Sequence, residues 1–259
     1  LRNGGIVESV ATSDKREMGM TYRATARIVG ILFIVASAAA IVGGGLLLPL
    51  SEDDYLREVA SAEAQVVSGA LIELVLVFAV VAIAVMLFPV LRRQNEGLAL
   101  GYVGARTVEG VLLLAASLSA LFVLSLSKDY GSGGAAGVQP VGDSLLAVRD
   151  WTYLIGSLAA LGVGALILYT MLYRAKLVPS WLSLWGLIGG ALVLVRGLLE
   201  MYSVELSGLI QGLFAAPIAI NEMVLAIWLI VKGFDPGALA RLTPGPTLEA
   251  ATPVPATVA

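Results

Sequence analysis

Six charged residues lie within stretches that otherwise read as lipid-spanning helices: Glu73, Arg106, Glu109, Arg196, Glu200 and Glu222. A charge at bilayer depth costs about 2.5–3.5 kcal/mol on insertion scales, so each requires an ion partner, water or a proton. Four are acids and two are bases, which leaves the acids in surplus. A carboxylate without a base must be protonated, hydrated or cation-bound, because burial penalises its charged form. The chemistry implied is contact with a proton, a cation or a polar headgroup.

Spacing sorts the six into layers. Glu222 lies ten residues from Lys232, roughly 15 Å along a helix and so near mid-bilayer. Counted from Glu96, Arg106 lies roughly 15 Å deep and Glu109 roughly 20 Å. Counted from Ser180, Arg196 lies roughly 24 Å away and Glu200 roughly 30 Å, while Glu73 lies roughly 28 Å from Arg92. Arg106, Glu109 and Glu222 thus form a middle layer, and Glu73, Arg196 and Glu200 an outer one. Each layer holds two acids and one base. Two pairing schemes fit. Arg106–Glu109 and Arg196–Glu200 can pair within their helices at i,i+3 and i,i+4, or Glu222 can reach Arg106 and Glu73 can reach Arg196. The candidate binding set is Glu222, Asn221, Arg106 and Glu109. Pro217, one turn before Asn221, removes a helix hydrogen bond and frees the carbonyl near Leu213.

The elements that position these charges follow from hydropathy. Of 259 residues, 58% are hydrophobic and 14% charged, against about 25% charged in a soluble domain. Six stretches are long and apolar enough to cross a bilayer as helices: 28–50, 66–91, 98–126, 151–173, 181–202 and 209–231. The expectation is an all-α six-helix membrane bundle over residues 23–236. A polar segment, 1–22, precedes it, with Met18 or Met20 expected as the true start. A Pro-rich tail, 237–259, follows and is expected to be disordered. No cleavable signal pattern is recognised before the first span. Eleven Lys and Arg residues flank one side of the spans, and only Arg57, Lys128 and Arg149 the other. The positive-inside rule then puts both termini in the cytoplasm and the chain in the cytoplasmic membrane. The acidic outer loop, 51–65, is expected to form a short surface helix. The Gly-rich loop around 131–137 is expected to be a slack connector, with a lid as the alternative.

Composition also excludes. Cysteine and histidine are both absent. That removes disulfides, thiol nucleophiles, imidazole ligands and His bases. No span carries a Lys or Asp at depth, which argues against a Schiff base, a Ser–Lys dyad and an aspartyl pair. No catalytic residue, metal or cofactor is expected. A net charge of −3 gives no basic patch for nucleic acid. The expected partners are the lipid bilayer, a small ligand or ion, or another membrane protein. Small residues at four-residue spacing (Ala36, Ala40 and Gly44; Gly156, Ala160 and Gly164) read as close-packing faces.

Three segments together carry a family resemblance: Leu87 to Glu109 with its Arg92-Arg93-Gln94-Asn95-Glu96-Gly97 turn, Leu177 to Gly186 with Pro179-Ser180-Trp181, and Pro217 to Phe234 with Asn221-Glu222. They resemble the bacterial membrane family catalogued as domain of unknown function 4386, from about Tyr22 to Pro236. Ser180 departs from that pattern, where a basic residue is usual. The resemblance implies a six-span membrane protein and assigns no activity. Two functional readings remain: a protein that binds or transports a small molecule, proton or cation through buried carboxylates, and a scaffold or accessory subunit whose Arg–Glu pairs are structural. A lipid enzyme working through Glu residues has the least support.

Overall fold

The computed structural model describes residues 4–131 and 137–242. The expectations for residues 1–3, for the middle of the Gly-rich loop and for the tail beyond 242 lie outside the described residues. Within them every regular element is helical. In chain order they are α1 (Gly4–Leu46), a short 3₁₀ turn (Leu48–Ser51), α2 (Tyr55–Ser61), α3 (Glu63–Leu91), α4 (Glu96–Gly131) and α5 (Val138–Leu154). A π-helical turn (Ile155–Ala160) joins α5 to α6 (Leu161–Ala175), followed by α7 (Ser180–Met201), α8 (Gly208–Val231) and α9 (Pro236–Leu242).

Six segments are long and apolar enough to cross a membrane: Tyr22–Leu46, Glu63–Leu91, Glu96–Lys128, Val138–Ala175, Ser180–Met201 and Gly208–Val231. Large apolar side chains such as Ile41, Phe78 and Leu209 point outward, which suits lipid and not water. The fold is an all-α, multi-pass bundle.

Three details depart from the sequence reading. The first span stops at Leu46, because Pro49 in the 3₁₀ turn cannot extend the α-helical ladder. The fourth starts at Val138 instead of Trp151, because Arg149 finds a buried partner and does not end the apolar run. Where the tail was expected to begin, α9 forms instead, with the Asp235 carboxylate accepting from Ala238 N at 2.7 Å.

The helices close into a ring. α1 packs on α3 and α8; α3 packs on α4; α4 packs on α5, the π turn and α6; α6 packs on α7, and α7 on α8. Glycines set the tightest crossings. A Cβ on Gly30 would lie 2.6 Å from Ala226 O, so α1 meets the α8 backbone directly. A Cβ on Gly189 would lie 2.8 Å from Ile218 N, which brings α7 against α8 just after Pro217. Close backbone approach of this kind is the means by which membrane helices gain packing when burial from water offers little. At the end of the bundle opposite α9, α2 buries Tyr55, Leu56 and Val59 over α4 and α5. The segment expected as a surface helix is therefore a cap.

Candidate functional site

One face of α4 carries the site. Tyr102, Arg106, Glu109, Leu113 and Ser117 recur at three- and four-residue spacing, and all are buried. Asn95 starts this helix by accepting from Leu98 N at 2.8 Å. Arg106 Nη1 donates to Glu109 Oε2 at 2.7 Å, and the Arg106 guanidinium lies 5.9 Å from the Tyr102 ring centroid. Its Nη2 also approaches Glu222 Oε1 of α8 at 3.9 Å. The two pairing schemes therefore coexist in the middle layer. Two carboxylates share one guanidinium, one of them tightly and the other at ion-pair range.

Glu222 is the looser partner. Among the described residues it has no hydrogen bond, and its side chain retains 17% exposure against 4% for Arg106 and Glu109. That exposure is into a cavity of about 470 Å³. Phe33 and Ala40 of α1, Leu76 and Val80 of α3, and Met223 of α8 form apolar walls, with the Ser37 hydroxyl of α1 set among them. Arg106, Glu109 and Glu222 supply its charged floor, and Tyr153 and Ser157 its remaining polar edge. The π turn bears on this edge. It runs beside α4, where a Cβ on Gly156 would lie 3.4 Å from Glu109 O. Inserting a π turn rotates the residues around it relative to a straight helix, here with Tyr153 and Ser157 on the cavity. Arg106 Nε and the Tyr169 hydroxyl are buried without a partner in this structure.

Asn221 belongs elsewhere. One residue from Glu222, it is rotated about 100° around α8 and donates from Nδ2 to Leu182 O at 2.9 Å. It sits in the buried stripe of Ile218, Asn221, Leu225 and Leu229 and is not among the cavity-lining residues. Of the four residues singled out as a binding set, three therefore meet and Asn221 ties α8 to α7.

The outer layer does not have the charge balance read from the sequence. Glu73 does not meet Arg196. Its Oε1 accepts from Arg149 Nη2 at 2.8 Å, while its Oε2 accepts from Arg149 Nη1 at 3.2 Å and from Ser117 Oγ at 2.6 Å. Arg149 also donates to Ala116 O at 2.9 Å. Arg196 Nε donates to Glu200 at 2.8 Å and Nη2 to the Gln211 side chain at 3.2 Å. With Arg149 counted, the outer layer has two acids and two bases, and no spare carboxylate. Hydropathy alone puts Arg149 beside the fourth span, whereas its bonds to Glu73 and Ala116 O hold it within that span. Its four-residue spacing from Tyr153, and the same spacing of Ser117 from Leu113 on the Arg106 stripe, were signals of an inward face. Among the described residues no cluster of metal-ligand type is present.

A closed ring of six apolar helices around a charged floor defines a polytopic helical membrane protein with an intramembrane cavity. Residues 28–233 match the family described as Domain of unknown function (DUF4386), and the chain belongs to that family. Neither a curated protein nor a solved structure matches it.

Proposed function

We propose that the protein binds a small, largely apolar cation within the membrane, with Glu222 as the carboxylate that meets it, and handles or transports it from there. The observation that carries this reading is the pairing of charge and shape: an apolar cavity whose floor holds two carboxylates and one guanidinium. Glu109 takes the guanidinium at hydrogen-bond distance, so the residual negative charge falls on Glu222. We place both termini in the cytoplasm and the bundle in the cytoplasmic membrane, on the strength of the Lys and Arg asymmetry.

Tetraphenylphosphonium, an apolar cation with no hydrogen-bonding group, is a suitable probe. Equilibrium binding to purified protein in detergent should be saturable. Filling the cavity from α1 with Ser37→Phe should weaken it at least about tenfold, the scale of one lost charge-assisted contact. Equal binding by wild type and Ser37→Phe would contradict the proposal.

The alternative, a scaffold or accessory subunit, draws on the outer layer. There every charge is matched and the Glu73–Arg149–Ser117 cluster ties α3, α4 and α5 together. A stoichiometric partner that co-purifies from native membrane, together with no saturable cation binding, would favour it.

A further inference from the structure

A second cavity, of about 460 Å³, opens at the end of the bundle where the Lys and Arg residues gather. Two chain reversals build it, the turn from α6 to α7 and the turn from α8 to α9. Lys176 closes α6 in the left-handed conformation, with φ of 54°. Pro179 and Ser180 open α7, whose first backbone N–H groups have no partner within the helix. Gly233 ends α8 with φ of 75° and donates to Trp228 O, and Asp235 N then donates to Leu177 O at 2.9 Å. That last bond ties the turn after α8 to the turn after α6, so the cavity has a fixed frame.

Its charge is one-sided. Lys176, Lys232 and Arg241 all line it and are all exposed. Among the described residues no carboxylate forms an ion pair with any of the three. The one acid in the lining, Asp235, is turned to cap α9. Trp228 forms one wall, at the level where amphipathic rings mark a membrane–water boundary.

We propose that this cavity binds a net-anionic phosphate group, one with no cation of its own to offset it, held by Lys176, Lys232 and Arg241 against the first turn of α7. Three cations from three different elements converge around one opening, an arrangement suited to the several oxygens of a phosphate. A basic pocket between helix ends at the membrane surface takes an anionic lipid headgroup, and a soluble phosphate ester offers the same oxygens. The site is separate from the intramembrane cavity and shares no residue with it.

The test is lipid retention by the full-length protein in detergent, read by native mass spectrometry, with phosphatidylglycerol and phosphatidylcholine offered in equal amounts. Wild type should retain phosphatidylglycerol about tenfold over phosphatidylcholine. Lys176→Gln/Lys232→Gln should lose that preference, whereas Lys176→Arg/Lys232→Arg should keep it. Arg92→Gln/Arg93→Gln, which removes equal charge from the same end, should also keep it. Displacement by millimolar glycerol 3-phosphate would assign the site to a soluble ester, and resistance to it would assign the site to the bilayer headgroup. Both results support the phosphate assignment. Equal retention of the two lipids by wild type would overturn it, as would equal loss of preference in the two Gln double variants.

Discussion

At the scale of single residues, the buried charges divide by how completely they are satisfied. Glu73 accepts three hydrogen bonds and Glu109 accepts one from a guanidinium, while Glu222 holds only a 3.9 Å ion contact. The first two therefore act as locks. Arg149→Gln should be strongly destabilising, by about 3–5 kcal/mol, because it leaves the Glu73 charge buried and unpaired. Adding Glu73→Gln to that variant should restore part of the loss. Thermal unfolding in detergent checks both, and an additive double variant would refute the lock. Which bases met which acids was not legible in the sequence. Helical spacing announced the Arg106–Glu109 and Arg196–Glu200 pairs, since each lies within one helix. Glu73–Arg149 links residues 76 positions apart, and no local pattern specifies such a contact.

Helices and their junctions explain why the charges converge. Spans of this hydropathy were readable because lipid leaves a backbone no alternative to the helix. Their ends were less so. Pro49 shortened the first span, and a matched Arg149 lengthened the fourth. The π turn has no mark in the sequence; Gly156 within it and Gly197 of α7 facing it leave room for close contact with α4 and α7. Gly189→Leu should separate α7 from α8, because the added atoms meet the Ile218 backbone and not a movable side chain. We expect a loss of about 1–3 kcal/mol or more, seen as a lowered melting temperature, with Asn221 detached from Leu182. An unchanged melting temperature would contradict the crossing. At the cap formed by α2, Tyr55 donates to Asp143 at 2.8 Å. Burial first, then that hydrogen bond and the Asp143 charge, push its hydroxyl well above the ordinary value near 10. The folded state thus favours the protonated phenol. Its contribution is complete below pH 10 and declines as pH rises above it, when the unfolded phenol ionises. Tyr55→Phe should lower the melting temperature at neutral pH and flatten the alkaline decline. A wild-type alkaline profile in that variant would refute the role.

For the whole molecule, the ring encloses a charged cavity at mid-depth and carries a basic cavity at one end. The absence of cysteine makes the orientation directly testable with single-Cys reporters. In right-side-out vesicles, Arg57→Cys should react with an impermeant maleimide and Arg92→Cys should not; the reverse pattern would invert the assigned topology. The class of protein was legible from composition, and the layer of Arg106, Glu109 and Glu222 from helical depth. The cavity beside them was not, because its volume depends on how α1, α3, α4 and α8 meet. Nor was the division of labour between neighbours: Asn221 and Glu222 adjoin in sequence, yet one faces α7 and the other the cavity.

That division supplies the most direct test of the account. Titrating tetraphenylphosphonium into wild type, Glu222→Gln and Asn221→Ala, with melting temperatures recorded alongside, separates binding from architecture. Glu222→Gln should weaken binding at least about tenfold while leaving the melting temperature unchanged or raised, since Arg106 keeps Glu109. Asn221→Ala should lower the melting temperature and leave affinity within about twofold, well short of one lost charge-assisted contact. If Glu222→Gln binds the cation as wild type does, the claim that Glu222 is the ligand-facing carboxylate is wrong.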